Sequence, residues 1–515
     1  MGMTNSPRSA TLAAILLATA VGNGWPAPAS AQQSVDSGNL ASIEQAALRS
    51  AAKEAGVEDV YSANGWQPIW SKAARAALEQ ALAARRRHGL DRVKLSVDAQ
   101  SGSNAAEQEV ARTQIALRYA SALAQGSVDP ASLHDVFTLA RPDVKVTSGL
   151  VPALSDGKLS GWLEALAPQD AEYRQLSDAY LRYSQEAASR SQDKIAASGL
   201  IKVGDSDQRL PAILEQLRAN DYLSADIGRG GNDTTFTQAA SDAVKQLQRD
   251  YGITDDGVIG PDTVEVLNLG PGHRARALAV ALERRRWLAR SPEDTRIDVN
   301  VAAARLRYFR DGSMVDSRKV VVGQPGNETP ALLSPIYRLV ANPTWTVPRS
   351  IENGELAGVG QDYLESRNMV RRDGWIVQKS GPENALGLVK FDMQNQHAIY
   401  LHDTSSPELF GRSARHLSHG CVRVEDALGF AQQLAEDQGV GAKWQEARQS
   451  DEQTFVSLPR HVPVRLLYHN VFVDDAGVIA FRTDPYNWNS AVGEALGFAK
   501  SSGHKMKAQR ADVAP

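Results

Sequence analysis

Apolar residues in the first part of the chain recur at helical spacing. In the segment Ala74–Leu82, Ala and Leu side chains stand three and four positions apart, which places them on one helix face. The region 40–200 is rich in Ala, Leu, Gln and Arg, and turn-forming dipeptides divide it at Asn64-Gly65, His88-Gly89, Asp129-Pro130 and Asp156-Gly157. The pattern predicts a helical domain over residues 40–200 that brings no catalytic chemistry of its own.

A second helical unit is predicted over residues 204–270. One apolar face runs from Leu210 to Leu217, and a second helix ends near Tyr251, before a glycine-rich turn and a third helix. The helix segment 243–252 and the turn Gly257-Val258-Ile259-Gly260-Pro261 resemble the small helical peptidoglycan-binding domain of cell-wall enzymes. The resemblance implies a wall-binding module, although such modules can also serve only as spacers.

A helix over residues 274–290 is predicted to link this module to the rest of the chain. It contains Arg284-Arg285-Arg286-Trp287, a cationic stretch on an amphipathic pattern. Such a face can touch an anionic polymer, but a solvated surface that forms ion pairs is the more common explanation.

Beyond Thr295 the apolar period changes from helical to two. Ile297, Val299 and Val301 alternate with polar or small residues, which predicts a strand in a mostly β domain over residues 295–490. Further strands are expected at Arg318–Val322, Ile336–Val340, Leu388–Asp392, Ala398–Leu401, Val464–Tyr468 and Val478–Arg482. A long, glycine-rich connection at 349–387 is of the size that covers a site, and residues 491–515 are expected to form a C-terminal tail.

Length and composition agree with several domains of mixed class. The chain has 515 residues, of which 42% are hydrophobic and 23% charged, enough for more than one core. The fold class expected is therefore multidomain α+β. A formal net charge of −4 gives no basic field, so no nucleic-acid partner is expected. The single cysteine, Cys421, excludes an internal disulfide and a multi-cysteine metal site.

The N-terminus has the pattern of a secretory signal over residues 1–31. Arg8 precedes the apolar run Ala10–Val21, and Ala29-Ser30-Ala31 forms a cleavage site of the A-x-A kind. The alternative is an uncleaved anchor. No later segment is apolar enough to cross a membrane, so no span is expected after cleavage. Export places Cys421 in an oxidising compartment, where an unpaired cysteine is unusual.

The neighbourhood of Cys421 favours nucleophilic chemistry. It lies in Ser418-His419-Gly420-Cys421-Val422-Arg423, and His397, His402, His416 and His419 precede it closely. A thiol needs a base or a positive field to become a thiolate at neutral pH. Gly420 allows a tight turn in which neighbouring N–H groups can form an oxyanion hole. Arg423 can support the thiolate, hold the loop or bind a substrate carboxylate.

Two histidines are candidates for the proton acceptor. His419 is two residues from Cys421, and its side chain cannot readily reach that sulfur within a tight loop. His402 ends a predicted strand and can approach across the sheet. His402 is therefore the preferred proton donor and acceptor, while His397 and His416 are expected to have surface or structural roles.

The motif Ser418–Arg423, preceded by Ile399–Thr404, resembles the catalytic signature of the L,D-transpeptidases, the YkuD-type domain. The similarity spans Ile297 to about Asn489. It implies Cys421 as nucleophile, His402 as base, the Asp403 carbonyl as its orienting group and Ser418, His419, Gly420 and Arg423 in support. It further implies a helical scaffold domain before the catalytic domain, and the stretch 349–387 resembles this family's capping lid.

This resemblance also implies a function. A periplasmic enzyme would attack the tetrapeptide stem of peptidoglycan, release D-alanine and transfer the acyl group to a diaminopimelate amine, giving a 3→3 cross-link. Trp345 and Arg423 would suit a carboxylate-rich substrate, no metal or cofactor is expected, and carbapenems would be inhibitors.

Several alternatives share these residues. Enzymes of this fold could attach a lipoprotein to peptidoglycan or hydrolyse it. A zinc hydrolase could use His402, Asp403, His416 and His419, but their spacing lacks the helical His pair of common zinc sites. A non-catalytic wall-binding scaffold would tolerate loss of the Cys421 thiol.

Overall fold

A computed structural model describes residues 43–95, 104–189, 194–220, 222–224 and 234–500. The expected signal sequence at 1–31 and the end of the chain at 501–515 lie outside the described residues. Within the described ranges, no helix combines the length and the apolar character that a membrane span requires.

The N-terminal region is helical, as its apolar spacing predicts. Local sequence fixes helix starts: the side chain of Ser71 accepts a hydrogen bond from the N–H of Ala74, and Asn104 forms a capping box with Glu107. The helices are α1 (Gln45–Ala51), α2 (Ala55–Ala63), α3 (Lys72–Ala84), α4 (Ala105–Gln125), α5 (Thr147–Ser155), α6 (Leu159–Leu166) and α7 (Ala171–Ser189).

The described residues of the second unit form three helices around an apolar core of their own. Thr237 caps the second helix, which ends at Gly252 in the left-handed conformation. Gln248 is buried and bonds to the N–H of Gly257 and to the carbonyl of Val258, which fixes the glycine-rich turn against the helix. The helices are α8 (Leu210–Ala219), α9 (Gln238–Tyr251) and α10 (Pro261–Leu267).

The linking helix α11 (Pro271–Arg286) lies inside the molecule, so the expectation of a solvated cationic face is wrong. Arg284 and Arg286 are buried, and the Arg286 guanidinium bonds to Glu283 and to the Tyr173 hydroxyl. Helix α7 and the β domain both pack against α11. Charge alone suggested exposure, but partners distant in sequence bind these guanidinium groups: Asn470 and Asn489 bond to Arg284, and Tyr173 bonds to Arg286.

The β domain is built on a sheet that closes on itself. Strand β3 pairs with β2 at its start and with β11 near its end, and the ring runs β3-β11-β9-β8-β4-β12-β1-β2 and back to β3, with β10 beside β3. The strands are β1 (Arg296–Asn300), β2 (Arg305–Arg310), β3 (Ser313–Gly323), β4 (Leu332–Ala341), β8 (Val389–Met393), β9 (Leu401–His402), β10 (His416–Ser418), β11 (Val422–Val424) and β12 (Thr454–Leu467).

The stretch 349–387 is folded and belongs to a small subdomain with its own apolar core, which includes Trp345, Ile351 and Ile376. We call the subdomain formed by residues 345–387 the lid. Its elements are β5 (Trp345–Thr346), α12 (Arg349–Asn353), α13 (Gln361–Ser366), β6 (Met369–Arg372) and β7 (Trp375–Gln378).

The C-terminal part returns to the ring and to α11. The expectation of a C-terminal tail that begins at residue 491 is wrong. Helix α16 continues past this residue, and Val492 and Leu496 are buried. One continuous apolar core includes residues of the scaffold, of α11 and of the ring. The remaining elements are α14 (Ala427–Asp437), α15 (Gly441–Arg448), β13 (Val471–Val473), β14 (Ile479–Phe481) and α16 (Trp488–Ala495).

Candidate active site

Cys421 lies in the short turn between β10 and β11. The Ser418 hydroxyl donates to the Cys421 carbonyl at 2.6 Å and accepts from the Gly420 N–H at 3.1 Å, so it closes the turn. Gly420 has φ of +120°, a conformation that strongly favours glycine. The Gly420 N–H is thus engaged inside the turn.

A second hydroxyl supports the turn from outside. Buried Thr329 donates to the Gly420 carbonyl at 2.7 Å and accepts from the Gly323 N–H at 2.8 Å. The Tyr486 hydroxyl donates to the Gly323 carbonyl at 2.6 Å. The position of the cysteine turn is therefore set by β3 and by residues near the C-terminus.

Five side chains share one face of the sheet at this point. His402 is in register with Arg423 on one side and with Lys390 on the other, and paired residues project to the same face. Cys421 and Tyr400 stand two positions before Arg423 and His402, so they project to that face as well. The Lys390 Nζ lies 4.2 Å from the Tyr400 ring centroid, and the Tyr400 and His402 rings are 5.6 Å apart.

His402 is fully buried and is held neutral. Burial lowers its pKa well below the usual value, and the charges of Arg423 and Lys390 act in the same direction. A hydrogen bond with the Asp403 backbone raises the pKa of His402, but the effect of burial is larger. Neither ring nitrogen has a well-aligned hydrogen-bond partner among the described residues. A neutral imidazole of this kind can accept a proton.

Cys421 is a buried thiol in surroundings that partly favour its anion. Burial raises its pKa to about 11, while hydrogen bonds from Tyr400 and the charges of Lys390 and Arg423 oppose the rise. Its Sγ lies 3.9 Å from the Ala398 carbonyl. The thiol is therefore protonated at neutral pH, and its deprotonation requires a nearby base.

Tyr400 and Lys390 had no role assigned from the sequence. The Tyr400 hydroxyl forms a hydrogen bond with the Cys421 thiol, and Tyr400 also packs against the core of the lid. Both residues reach the site through strand register, which a local motif does not reveal. The alternation of Tyr400 with His402 was the available signal for Tyr400.

Arg423 and Trp345, expected to contact substrate, are buried. Arg423 is 0% exposed within the sheet, where its charge acts on His402 and Cys421. Trp345 belongs to the core of the lid, and its side chain reaches the Tyr400 hydroxyl. Trp345 thus adjoins the cysteine site through Tyr400.

His419 points to the lid. Its Nε2 lies 2.5 Å from Oε1 of Glu355, between α12 and α13. His419 is mostly buried, and this contact joins the cysteine turn directly to the lid. The lid therefore lies over the region beside Cys421, which is itself only 6% exposed.

Three of the four residues of the zinc alternative, Asp403, His416 and His419, bond to separate partners. His416 bonds to the Val301 carbonyl at 3.0 Å, and burial lowers its pKa to about 4, so its role is structural. The Asp403 carboxylate accepts from the Leu388 N–H, at the end of the lid. No group of three metal-ligating side chains converges in the described ranges. This arrangement gives the zinc alternative no support.

Comparison with known proteins identifies three parts of the chain. Residues 294–444 match the family model "L,D-transpeptidase catalytic domain" (YkuD), residues 55–179 match "Scaffold domain", and residues 206–267 match "Putative peptidoglycan binding domain". These matches agree with the family resemblance of the sequence motifs.

A curated relative and two solved structures are similar to parts of the chain. A "Putative L,D-transpeptidase" of Haemophilus influenzae is 29% identical over 211 residues, which are 36% of this chain and 42% of that protein. The crystal structure of an L,D-transpeptidase from Stackebrandtia nassauensis is 14% identical (TM-score 0.22). The match covers 53% of this chain and 97% of the Stackebrandtia chain. The NMR structure of the catalytic domain of an E. faecium L,D-transpeptidase acylated by ertapenem is 16% identical (TM-score 0.19). The match covers 34% of this chain and 99% of that domain's chain.

This chain spans less than half the length of the curated relative that it matches. The family models nevertheless cover most of the helical region, the three-helix unit and strands β1 to β11 around Cys421. The chain therefore carries a catalytic domain of the L,D-transpeptidase (YkuD) family behind a scaffold domain and a peptidoglycan-binding domain.

Proposed function

We propose that the protein is an exported L,D-transpeptidase that works on peptidoglycan in the periplasm. Cys421 attacks the carbonyl at the L-centre of diaminopimelate in a tetrapeptide stem, and a thioester forms as D-alanine leaves. The side-chain amine of a second stem then attacks the thioester, which gives a 3→3 cross-link.

One observation carries this proposal: the thiol of Cys421 and the neutral imidazole of His402 project from the same face of the ring, beside the lid. A neutral imidazole can accept a proton, whereas an imidazolium cannot. His402 is therefore preferred over His419, whose ring is engaged with Glu355.

The proton balance follows from these two groups. As the sulfur attacks, the Cys421 proton passes to His402, and the imidazolium returns it to the departing D-alanine amine. In the second step, His402 takes a proton from the attacking amine and returns it to sulfur as the thioester breaks. Lys390, Arg423 and the Tyr400 hydroxyl stabilise the thiolate at both stages.

The peptidoglycan-binding domain supports a wall substrate. We propose that it holds the glycan while the catalytic domain acts on a stem. It packs against β14 of the catalytic domain through α9, so binding by the module would place the wall near the ring.

A direct test compares the natural protein with its Cys421→Ala variant on tetrapeptide-rich sacculi. New 3→3 dimers and free D-alanine should appear only with the natural protein, and ertapenem should add its mass only to that protein. Normal cross-linking or a normal adduct with Cys421→Ala would contradict the proposal. His397→Gln is a matched control, since His397 is exposed and outside the site.

The same assay separates the other acceptors. Free tripeptides without dimers would indicate hydrolysis, and transfer only to a lipoprotein amine would indicate an anchoring enzyme. Loss of activity with a chelator would favour the zinc alternative, while the absence of any product from the natural protein and from Cys421→Ser alike would favour a non-catalytic scaffold.

A further inference from the structure

A large cleft lies between the scaffold and the catalytic domain, apart from the site of Cys421. Its volume is about 770 Å³, and its walls come from the start of α7, the segment after α11, and strands β1, β2 and β12. None of the five side chains grouped around Cys421 lines this cleft. A cleft of this size can hold a ligand of several hundred daltons.

Six arginines and four carboxylates (Asp170, Glu172, Asp298 and Asp474) supply the charged groups in the lining of this cleft. Carboxylates hold several of the arginines in place: Asp298 bonds to two guanidinium groups at 2.6–3.1 Å, and Asp170 and Glu172 bond to a third at 3.0 and 3.2 Å. Guanidinium groups fixed in this way are already positioned to meet an anion. The lining arginines are Arg285, Arg290, Arg296, Arg305, Arg307 and Arg465.

One of these charges has no carboxylate partner in the described part of the chain. Arg290 donates only to backbone carbonyls, among them those of Leu123, Ala124 and Leu166. The charge of Asp170 acts on Arg290, but no described carboxylate bonds to its guanidinium group. An anion entering the cleft would gain from this excess charge.

His469 supplies an unused polar group in the same cleft. The side chain is only 8% exposed, and neither ring nitrogen has a hydrogen-bond partner in the described ranges. Asn300 fixes the His469 backbone through two hydrogen bonds of 2.9 and 3.0 Å. A buried polar group without a partner is costly unless a ligand or water completes it.

The charges around His469 determine which partner fits. Burial and the charges of Arg284, Arg285 and Arg465 hold the pKa of His469 well below its usual range. The ring is therefore neutral and carries one N–H donor in a positive environment. An anionic acceptor would satisfy this donor and gain from the arginines, whereas a cation would be repelled.

The rest of the lining favours an organic ligand over a simple ion. Phe309 and Phe472 contribute apolar surface, and the Arg296 guanidinium lies 3.9 Å from the centroid of the Phe309 ring. Apolar walls with a few fixed cationic groups suit an extended molecule that carries a carboxylate.

We propose that this cleft is a second binding site, in which a carboxylate-bearing peptide places its carboxylate beside His469 and the arginines. The identification of that peptide as a peptidoglycan stem rests on the proposed function; the preference for a carboxylate rests on the cleft alone. A stem bound here would hold a neighbouring strand of the wall while Cys421 acts on another.

The test uses the full chain with Cys421→Ala, so that no ligand is turned over, and follows its ¹³C-labelled histidine rings by NMR. His469→Phe identifies the His469 signal. The disaccharide tetrapeptide should shift this signal, whereas the same ligand with amidated carboxyl groups should not. Because the signal is local, ligand bound at the catalytic site or at the peptidoglycan-binding domain does not produce it.

Two exposed glutamines of α7 supply a matched pair of variants. Gln175 lines the cleft and Gln185 does not. Gln175→Glu adds a negative charge at the cleft and should weaken the tetrapeptide affinity read from His469 about tenfold, while Gln185→Glu should leave it unchanged.

Three outcomes would overturn the proposal: a His469 signal that does not move at saturating tetrapeptide, an equal shift with the amidated ligand, or a shift with inorganic phosphate alone. These outcomes are independent of the catalytic proposal, because ertapenem acylation of a His469→Phe protein that retains Cys421 reports on Cys421 separately. If acylation fails while the His469 signal shifts, only the proposed function is contradicted.

Discussion

The imidazole of His419 and the carboxylate of Glu355 connect the cysteine turn to the lid, with 2.5 Å between Nε2 and Oε1. His419 is two residues from Cys421, so opening of the lid must break this contact or move the turn. Glu355→Gln should weaken the closed state by about 0.5–1 kcal/mol, the range for a partly exposed pair. We expect a few-fold faster reaction of Cys421 with iodoacetamide, measured by mass spectrometry.

A second lid variant provides the control for this prediction. Glu383 is an exposed carboxylate of the lid outside the His419 contact, so Glu383→Gln changes the net charge equally. If both variants react at the natural rate, or both faster by the same factor, the His419–Glu355 contact does not hold the lid closed.

The assignment of the base can be tested by two glutamine substitutions. His402→Gln removes the group that we propose accepts the thiol proton, and the rate of ertapenem acylation should fall by about 10²–10⁴. His419→Gln should change that rate less than tenfold. The reverse order of effects would make His419 the base. Thermal unfolding of both variants checks that each remains folded.

The pH dependence of Cys421 reactivity follows from its burial. Burial raises the thiol pKa to about 11, so the thiolate fraction should rise about tenfold per pH unit from pH 7 to 10. The iodoacetamide rate should follow this rise without a plateau near pH 8.5. Tyr400→Phe removes a hydrogen bond that lowers the pKa, so the reaction should be slower at each pH. A plateau at or below pH 8.5 would show that the thiol is not held neutral.

Thr329 should contribute to stability and activity together. Thr329→Val keeps the shape of the side chain but leaves the buried Gly323 N–H and Gly420 C=O without this partner. We expect a loss of about 2 kcal/mol, seen as a lower Tm, and slower acylation because the cysteine turn loosens. Thr346→Val, at an exposed lid position, should change neither quantity. An unchanged Tm for Thr329→Val would show that the bond is dispensable.

Much of the fold could be predicted from local patterns. The alternation at Ile297, Val299 and Val301 identified β1, and helical spacing identified the scaffold and the three-helix unit. Strands β10 and β11 have only three residues each, too few for a period to be read. Closure of the ring depends on pairing between distant segments, as between β3 and β11, which local patterns do not contain.

Part of the candidate site could likewise be predicted from local motifs, whereas the rest depends on contacts between distant segments. Cys421 and His402 stand in local motifs and were predicted as a pair, and their catalytic roles await the variants described above. Lys390 comes from β8, and Glu355 comes from the lid, so only the register and the lid contact bring them to the site. The burial of Arg286 in α11 was missed because its partners, Tyr173 and the His88 carbonyl, lie about a hundred or more residues away.

The single apolar core also bears on how such a chain can be rearranged during evolution. The scaffold and the ring share that core, and Phe137 of the scaffold pairs with Ala331 through their backbones. Neither part could be exchanged without exposing apolar surface on the other. The three-helix unit encloses a core of its own. We expect it to be the part of the chain that can be gained, lost or replaced as a module while the catalytic part is inherited with its scaffold.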